Sequence, residues 1–312
     1  MRAAAILSLI WIPICTQLGA GEVEFILLSN DDNTLHQVTL PLGTPKPIGA
    51  MARSGDFIEL IEADAVRLYA FERGSNALYV LDRFDGSVIR SAALDQDLYV
   101  TRRGFDLSPN GILYGVLPGM QLRTVNPVSG GTTFVANISG AARVEAISFS
   151  DDGTLFAVGS IADNASSETL FTLSTSTGVL TEVGLMGSYD IDDLTLGPDG
   201  FLYGVDSVDG REAHLLRIDP LTASVTDLGS TGVTGVTGLV AVRQKVKLMI
   251  SEEGGFVNLR WPSNTLGFNL EQAQSLNVDD WEPVEVLPEI DGDDFVVEVI
   301  PGLEKQFFRL AR

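Results

Sequence analysis

Cysteine is almost missing from this chain. Cys15 is the only one in 312 residues, so no disulfide can form within the chain, and a small disulfide-held scaffold is excluded. Stability has to come from a buried core, which a chain of this length can supply. Histidine is nearly as scarce: His36 and His214 stand alone, which excludes a multi-histidine zinc site, a Cys–His pair and a Ser–His–Asp triad as the basis of activity. Both read as outward-facing strand residues. Positive charge is short as well, with 20 Lys and Arg against 42 Asp and Glu, net −22. The chain shows no basic stripe, so nucleic acid and anionic membrane surfaces are disfavoured, whereas cations, sugars and basic proteins fit. Of the three tryptophans, Trp11 lies near the N-terminus and Trp261 and Trp281 near the C-terminus. The long stretch between them therefore lacks the indole rings that commonly line sugar subsites.

The one pronounced apolar run, Ala3 to Ile14, is too short to span a bilayer. It follows Arg2 and precedes Leu18-Gly19-Ala20, the order of a secretory signal peptide with a small-residue cleavage site. Residues 1–20 are expected to be removed, Cys15 with them, leaving a mature chain that begins near Gly21. Pro13-Ile14 before Cys15 fits a lipoprotein signal poorly. The expected address is outside the cell or at its surface, with no transmembrane segment.

What is abundant is a repeat. Phe105 to Tyr114, Ile147 to Phe156 and Leu194 to Tyr203 share an apolar strand, an Asn-Gly or Asp-Gly turn and a strand carrying Leu-Tyr or Leu-Phe; Ile58 to Tyr69 is a degenerate copy with Asp64-Ala65 at the turn. The anchors Tyr69, Tyr114, Phe156 and Tyr203 are 45, 42 and 47 residues apart, a spacing that suits a four-stranded blade. A second series, Leu35, Leu78, Leu122, Leu170 and Leu215, opens a third strand in each copy at separations of 43, 44, 48 and 45. Thr237 to Val242 reads as an inner strand with no hairpin after it, and Glu24 to Pro41 as strands lacking an inner partner. Joining the two ends predicts an all-β fold: a five-bladed β-propeller over residues 21–242, closed without exposed edges.

The Leu-Tyr-Gly-Val-Asp string at 202–206 and the Leu-x-Arg-Ile-Asp-Pro-Leu-Thr-Ala string at 215–223 resemble the repeats of uncharacterised secreted bacterial propeller domains. The Pro-Asp-Gly-x-Leu-Tyr turn is similar to those of gluconolactonase-like and NHL-type propellers. The resemblance implies a fold and no particular chemistry.

After a short linker, 243–245, the pattern changes to brief alternating runs between 246 and 312, including Val257 to Trp261, Phe268 to Ala273, Trp281 to Val284 and Gln306 to Leu310. These predict a small antiparallel β-sandwich. The succession Leu-Arg-Trp, Gly-Phe-x-Leu-Glu, Trp-x-x-Val and a closing Phe-Phe-Arg-Leu resembles a C-terminal module of secreted bacterial proteins that is loosely fibronectin-like. Trp261, Phe268, Trp281 and Phe307 are expected in its core.

Aligning the inner strands places Asp56, Arg103, Glu145, Asp192, Asp193 and Thr237 at one entrance of a central funnel. Such a ring would suit a hydrated cation, with calcium the candidate, or a sugar hydroxyl. No other cofactor is expected. Asp31-Asp32-Asn33 and Asp291-Gly292-Asp293-Asp294 do not match a twelve-residue calcium loop and read as acidic turns. The functional expectation is a monomeric, extracellular, non-enzymatic binding or scaffold protein whose partner is a protein or a carbohydrate. The alternative is a glycoside hydrolase-like or cation-dependent hydrolase using Asp56, Glu145 and Asp192, since glycoside cleavage needs two carboxyl groups.

Overall fold

A computed structural model describes residues 23–51, 55–64, 66–97, 104–162, 167–208, 210–242, 248–253, 255–263, 269–274, 281–292, 294–300 and 306–311. The expected signal peptide at 1–20, Arg103 and Phe268 lie outside these residues. Among those described there is no helix, and none long and apolar enough to cross a membrane. The chain divides into two compact units, up to Val242 and from Arg243 onward.

The first unit is a series of four-stranded antiparallel sheets of the kind that form propeller blades. Strands β1 (Glu24–Ser29), β2 (Thr34–Thr39) and β3 (Lys46–Ala50) belong to sheet I, and β4 (Phe57–Glu62), β5 (Arg67–Glu72), β6 (Ala77–Asp82) and β7 (Val88–Ala93) make sheet II. Sheet III holds β8 (Phe105–Leu107), β9 (Leu113–Leu117), β10 (Gln121–Val125) and β11 (Thr132–Asn137). Sheet IV holds β12 (Arg143–Phe149), β13 (Leu155–Ser160), β14 (Glu168–Leu173) and β15 (Leu180–Gly187). Sheet V holds β16 (Ile191–Leu196), β17 (Leu202–Asp206), β18 (Glu212–Ile218) and β19 (Val225–Thr234). The last strand, β20 (Val236–Ala241), returns to sheet I and pairs antiparallel with β1, Leu27 opposite Leu239. The two ends of the unit thus share one sheet.

The hairpins follow from local chemistry. Gly111, Gly153 and Gly200 have φ of 77°, 87° and 81°, which the preceding Asn or Asp can introduce but only glycine adopts without strain. The first strands of the sheets lie side by side in a cycle: β4 by β8, β8 by β12, β12 by β16, β16 by β20 and β20 by β4. Between sheets the repeat's aromatics fill the gaps. Tyr203 packs on Phe25 with ring centroids 4.8 Å apart, Phe71 stacks on Phe105 at 3.6 Å, and Tyr114 meets Phe149 at 5.3 Å. Phe156 joins sheet IV to residues of sheet V in one apolar cluster.

The second unit has two small antiparallel sheets. One runs β21 (Met249–Glu253), β22 (Phe256–Pro262), β26 (Asp294–Val299) and β25 (Glu289–Asp291), and the other β24 (Glu282–Pro283), β23 (Asn269–Ala273) and β27 (Phe307–Ala311). Leu259, Trp261, Leu270 and Val297, drawn from both sheets, form a buried cluster. Trp261 is 1% exposed, whereas Trp281 is half-buried beneath Arg309, whose guanidinium sits 4.3 Å from the ring centre.

Candidate functional site

Each inner strand has one edge paired within its own sheet and one edge turned toward its neighbours around the cycle. Backbone N–H groups on that second edge still need acceptors. Side chains one repeat away supply them. Glu59 Oε2 accepts from Phe105 N–H at 3.2 Å, Asp106 Oδ2 from Phe149 N–H at 2.6 Å, and Thr195 Oγ1 from Ala241 N–H at 3.3 Å. Asp193 does most: its Oδ2 accepts from Leu239 N–H at 2.6 Å and Leu60 N–H at 3.4 Å, and its Oδ1 from Leu194 N–H at 2.6 Å. One carboxyl therefore ties β4, β16 and β20 together.

Glu59 and Asp193 touch each other through their carboxyl groups and are 1% and 0% exposed. Burial pushes Asp193 up to about 7, against the opposing pull of Glu59 and of the Leu239, Leu194 and Leu60 amides. Burial and then the charge of Asp193 hold Glu59 well above the usual carboxylate range. Glu59 Oε1 is enclosed and has no hydrogen-bond partner. Around the same level stand Gly104, Ala146 and Gly238. A Cβ at Gly238 would lie 2.6 Å from Leu60 Cβ, and one at Gly104 2.2 Å from Ile147 N. Neighbouring inner strands approach too closely at these two glycines to admit a Cβ.

A bulge in each of four inner strands sets which residue faces this level. The pairing register shifts across Ile58, Glu145, Asp192 and Thr237, and an extra residue of this kind re-aims the side chains beside it. Asp193 accordingly sits fully buried among amides while Asp192, one residue earlier, is half-buried. The sequence-predicted ring therefore resolves into several surroundings. Asp56, with a side chain 49% exposed, receives Arg73 Nε–H at 2.7 Å. Glu145 pairs with Arg143 Nε at 3.0 Å. Thr237 is half-buried in β20, with its hydroxyl enclosed and without a partner.

Glu145 has neighbours that the repeat pattern did not reveal. Arg143 also bonds Glu168 Oε1 at 2.9 Å, and oxygens of Glu145, Glu168 and Asp190 all lie within 4.8 Å of one another. Asp190 N–H donates to Asp206 Oδ1 at 3.4 Å. Beyond it, a depression of about 460 Å³ is lined by Asp206, Val208, Arg211, Glu212, His214 and Ser230. Burial raises the Asp206 carboxyl, against the Asp190 N–H. His214 Nδ1 lies 2.9 Å from Asp227 and His36 Nε2 2.8 Å from Asp32, so each histidine is matched to a surface aspartate.

No protein family and no curated protein matches this sequence. Solved structures similar to the chain are β-propeller proteins. A nidogen/laminin complex aligns at 11% identity over 70% of this chain and 98% of that one, with a TM-score of 0.49. TolB from Acinetobacter baumannii aligns at 17% over 78% and 61%, TM-score 0.42, and the PQQ-bound aldose sugar dehydrogenase of Streptomyces coelicolor at 10% over 92% and 91%, TM-score 0.44.

Proposed function

We propose that residues 24–241 form a closed five-bladed propeller that serves, outside the cell, as a non-enzymatic binding or scaffold platform for a protein or carbohydrate partner. The observation that carries this reading is the state of the axial carboxyls. Glu59 and Asp193 are both buried and committed to backbone amides of neighbouring sheets, while Asp56 and Glu145 are engaged by Arg73 and Arg143. A glycosidase requires two carboxyls that reach a substrate and a water or a sugar carbon between them. The recognition surface is the end of the unit where β12, β14, β16 and β18 begin, and its carboxylates suit a partner that brings positive charge or hydroxyl groups.

A panel of chromogenic glycosides and esters tests the reading directly. No turnover is expected. Turnover that disappears in Asp56→Ala or Glu145→Ala would overturn the platform in favour of a hydrolase. Closure is tested by truncation. Deleting Val23 to Pro41 removes β1 and β2 and strips β20 of its partner, so it should abolish the cooperative melt, whereas deleting residues 246–312 should leave it. Equal tolerance of both deletions would contradict a closed ring.

A further inference from the structure

We propose that Glu145, Glu168 and Asp190 bind a divalent cation of calcium type, at the end of sheet IV where β12 and β14 begin. Their three side chains offer oxygens mutually within 4.8 Å, so a point between them lies within about 2.8 Å of each, near the calcium–oxygen distance of about 2.3–2.6 Å. One ion can therefore reach all three. The donors are oxygen only, which favours a hard cation over zinc or copper.

Glu168 supplies the second observation. It is 2% exposed, and while its Oε1 takes the Arg143 guanidinium, its Oε2 is enclosed and receives no hydrogen bond. A buried carboxylate oxygen with no donor is an unfinished contact, and a cation completes it without requiring any new donor from the protein. Charge points the same way. Three carboxylates within one small volume form a strongly negative cluster, which a divalent ion relieves. The bulge at Glu145 turns that side chain toward Arg143, Glu168 and Asp190, away from the alternation that would otherwise pair it across to β13.

Arg143 is the competing explanation, because a guanidinium can hold two carboxylates without any ion. The test uses the full mature chain, stripped with EDTA and dialysed, and titrated calorimetrically with calcium chloride at neutral pH. The expected result is one saturable equivalent with a dissociation constant of about 10⁻⁴–10⁻³ M, the range of extracellular calcium modules. Glu168→Gln should abolish it. Asp190→Asn, a change at a half-buried position that preserves shape, should weaken it at least about tenfold. Asp291→Asn, on an exposed turn of the second unit, should leave it intact. An absence of any saturable equivalent, or an affinity unchanged in both Glu168→Gln and Asp190→Asn, would overturn the site.

Discussion

The axis and the entry end of sheet IV both collect acidic side chains, yet they neutralise them by different means. At the axis Asp193 and Glu59 are buried together and take backbone amides from β4, β8, β16 and β20. At the entry end Glu145 and Glu168 take a guanidinium. Strand register separates the two outcomes. Asp192 and Asp193 are adjacent, as are Glu145 and Ala146, and the bulge decides which of each pair faces the axis. A carboxyl in a propeller's inner strand is thus no sign of catalysis until its amide partners are counted.

The comparison breaks most visibly if the axial carboxyl is deleted. Asp193→Ala strands the N–H groups of Leu60, Leu194 and Leu239 in a site with no solvent. Each orphaned buried donor costs about 1–3 kcal/mol, so denaturant unfolding should show a loss on the order of 5 kcal/mol, or no fold at all. Asp193→Asn keeps an acceptor and should cost much less. A loss below about 1 kcal/mol in Asp193→Ala, under the cost of even one such donor, would mean that the sheets are held without this staple.

Acidity sharpens the contrast next. Asp193 titrates at about 7 in the folded protein against an ordinary 3.8, and Glu59 is shifted in the same direction. Below about pH 4 folded and unfolded chains are both protonated there, and the pair contributes fully. Between about 4 and 7 the unfolded chain has released protons that the fold retains, so stability falls as pH rises, and the loss is complete above the folded value. At about 1.4 kcal/mol per pH unit the Asp193 window is worth on the order of 4 kcal/mol. Asp193→Asn, which removes the group that burial holds at about 7, should flatten the decline in melting temperature between pH 5 and 8. A wild-type profile already flat there would show that burial does not raise the Asp193 carboxyl.

Much of this arrangement is legible in the residues. The anchors Tyr114 and Tyr203 and the turns at Gly111 and Gly200 announce a blade-length repeat, and Leu239, 45 residues after Leu194, marks the strand that pairs with β1. Glu59 was legible too: it and Asp193 both stand ten residues before an anchor tyrosine, opposite glycine or alanine in the other copies. Aligning the inner strands by repeat brings forward Glu145, Asp192 and Thr237, which stand at the bulges, and a bulge inserts its extra residue without any compositional mark. Glu168 and Asp190 could not be found by repeat. One opens β14 and the other precedes β16, so only the approach of two neighbouring sheets brings them to Glu145.

The smallest expected effect gives the comparison its floor. Asp56 was grouped with Asp193 by sequence, but its side chain is 49% exposed and held by Arg73, itself 34% exposed. A pair in that position gains little from Coulomb attraction in water and loses side-chain entropy, so Asp56→Asn should change stability by about 0–1 kcal/mol. Added salt should shrink even that difference, because the pair is open to counter-ions. If Asp56→Asn instead raised stability, Asp56 would be adding repulsion at the axis. The boundary between the two acidic regions would then have to move outward to include it.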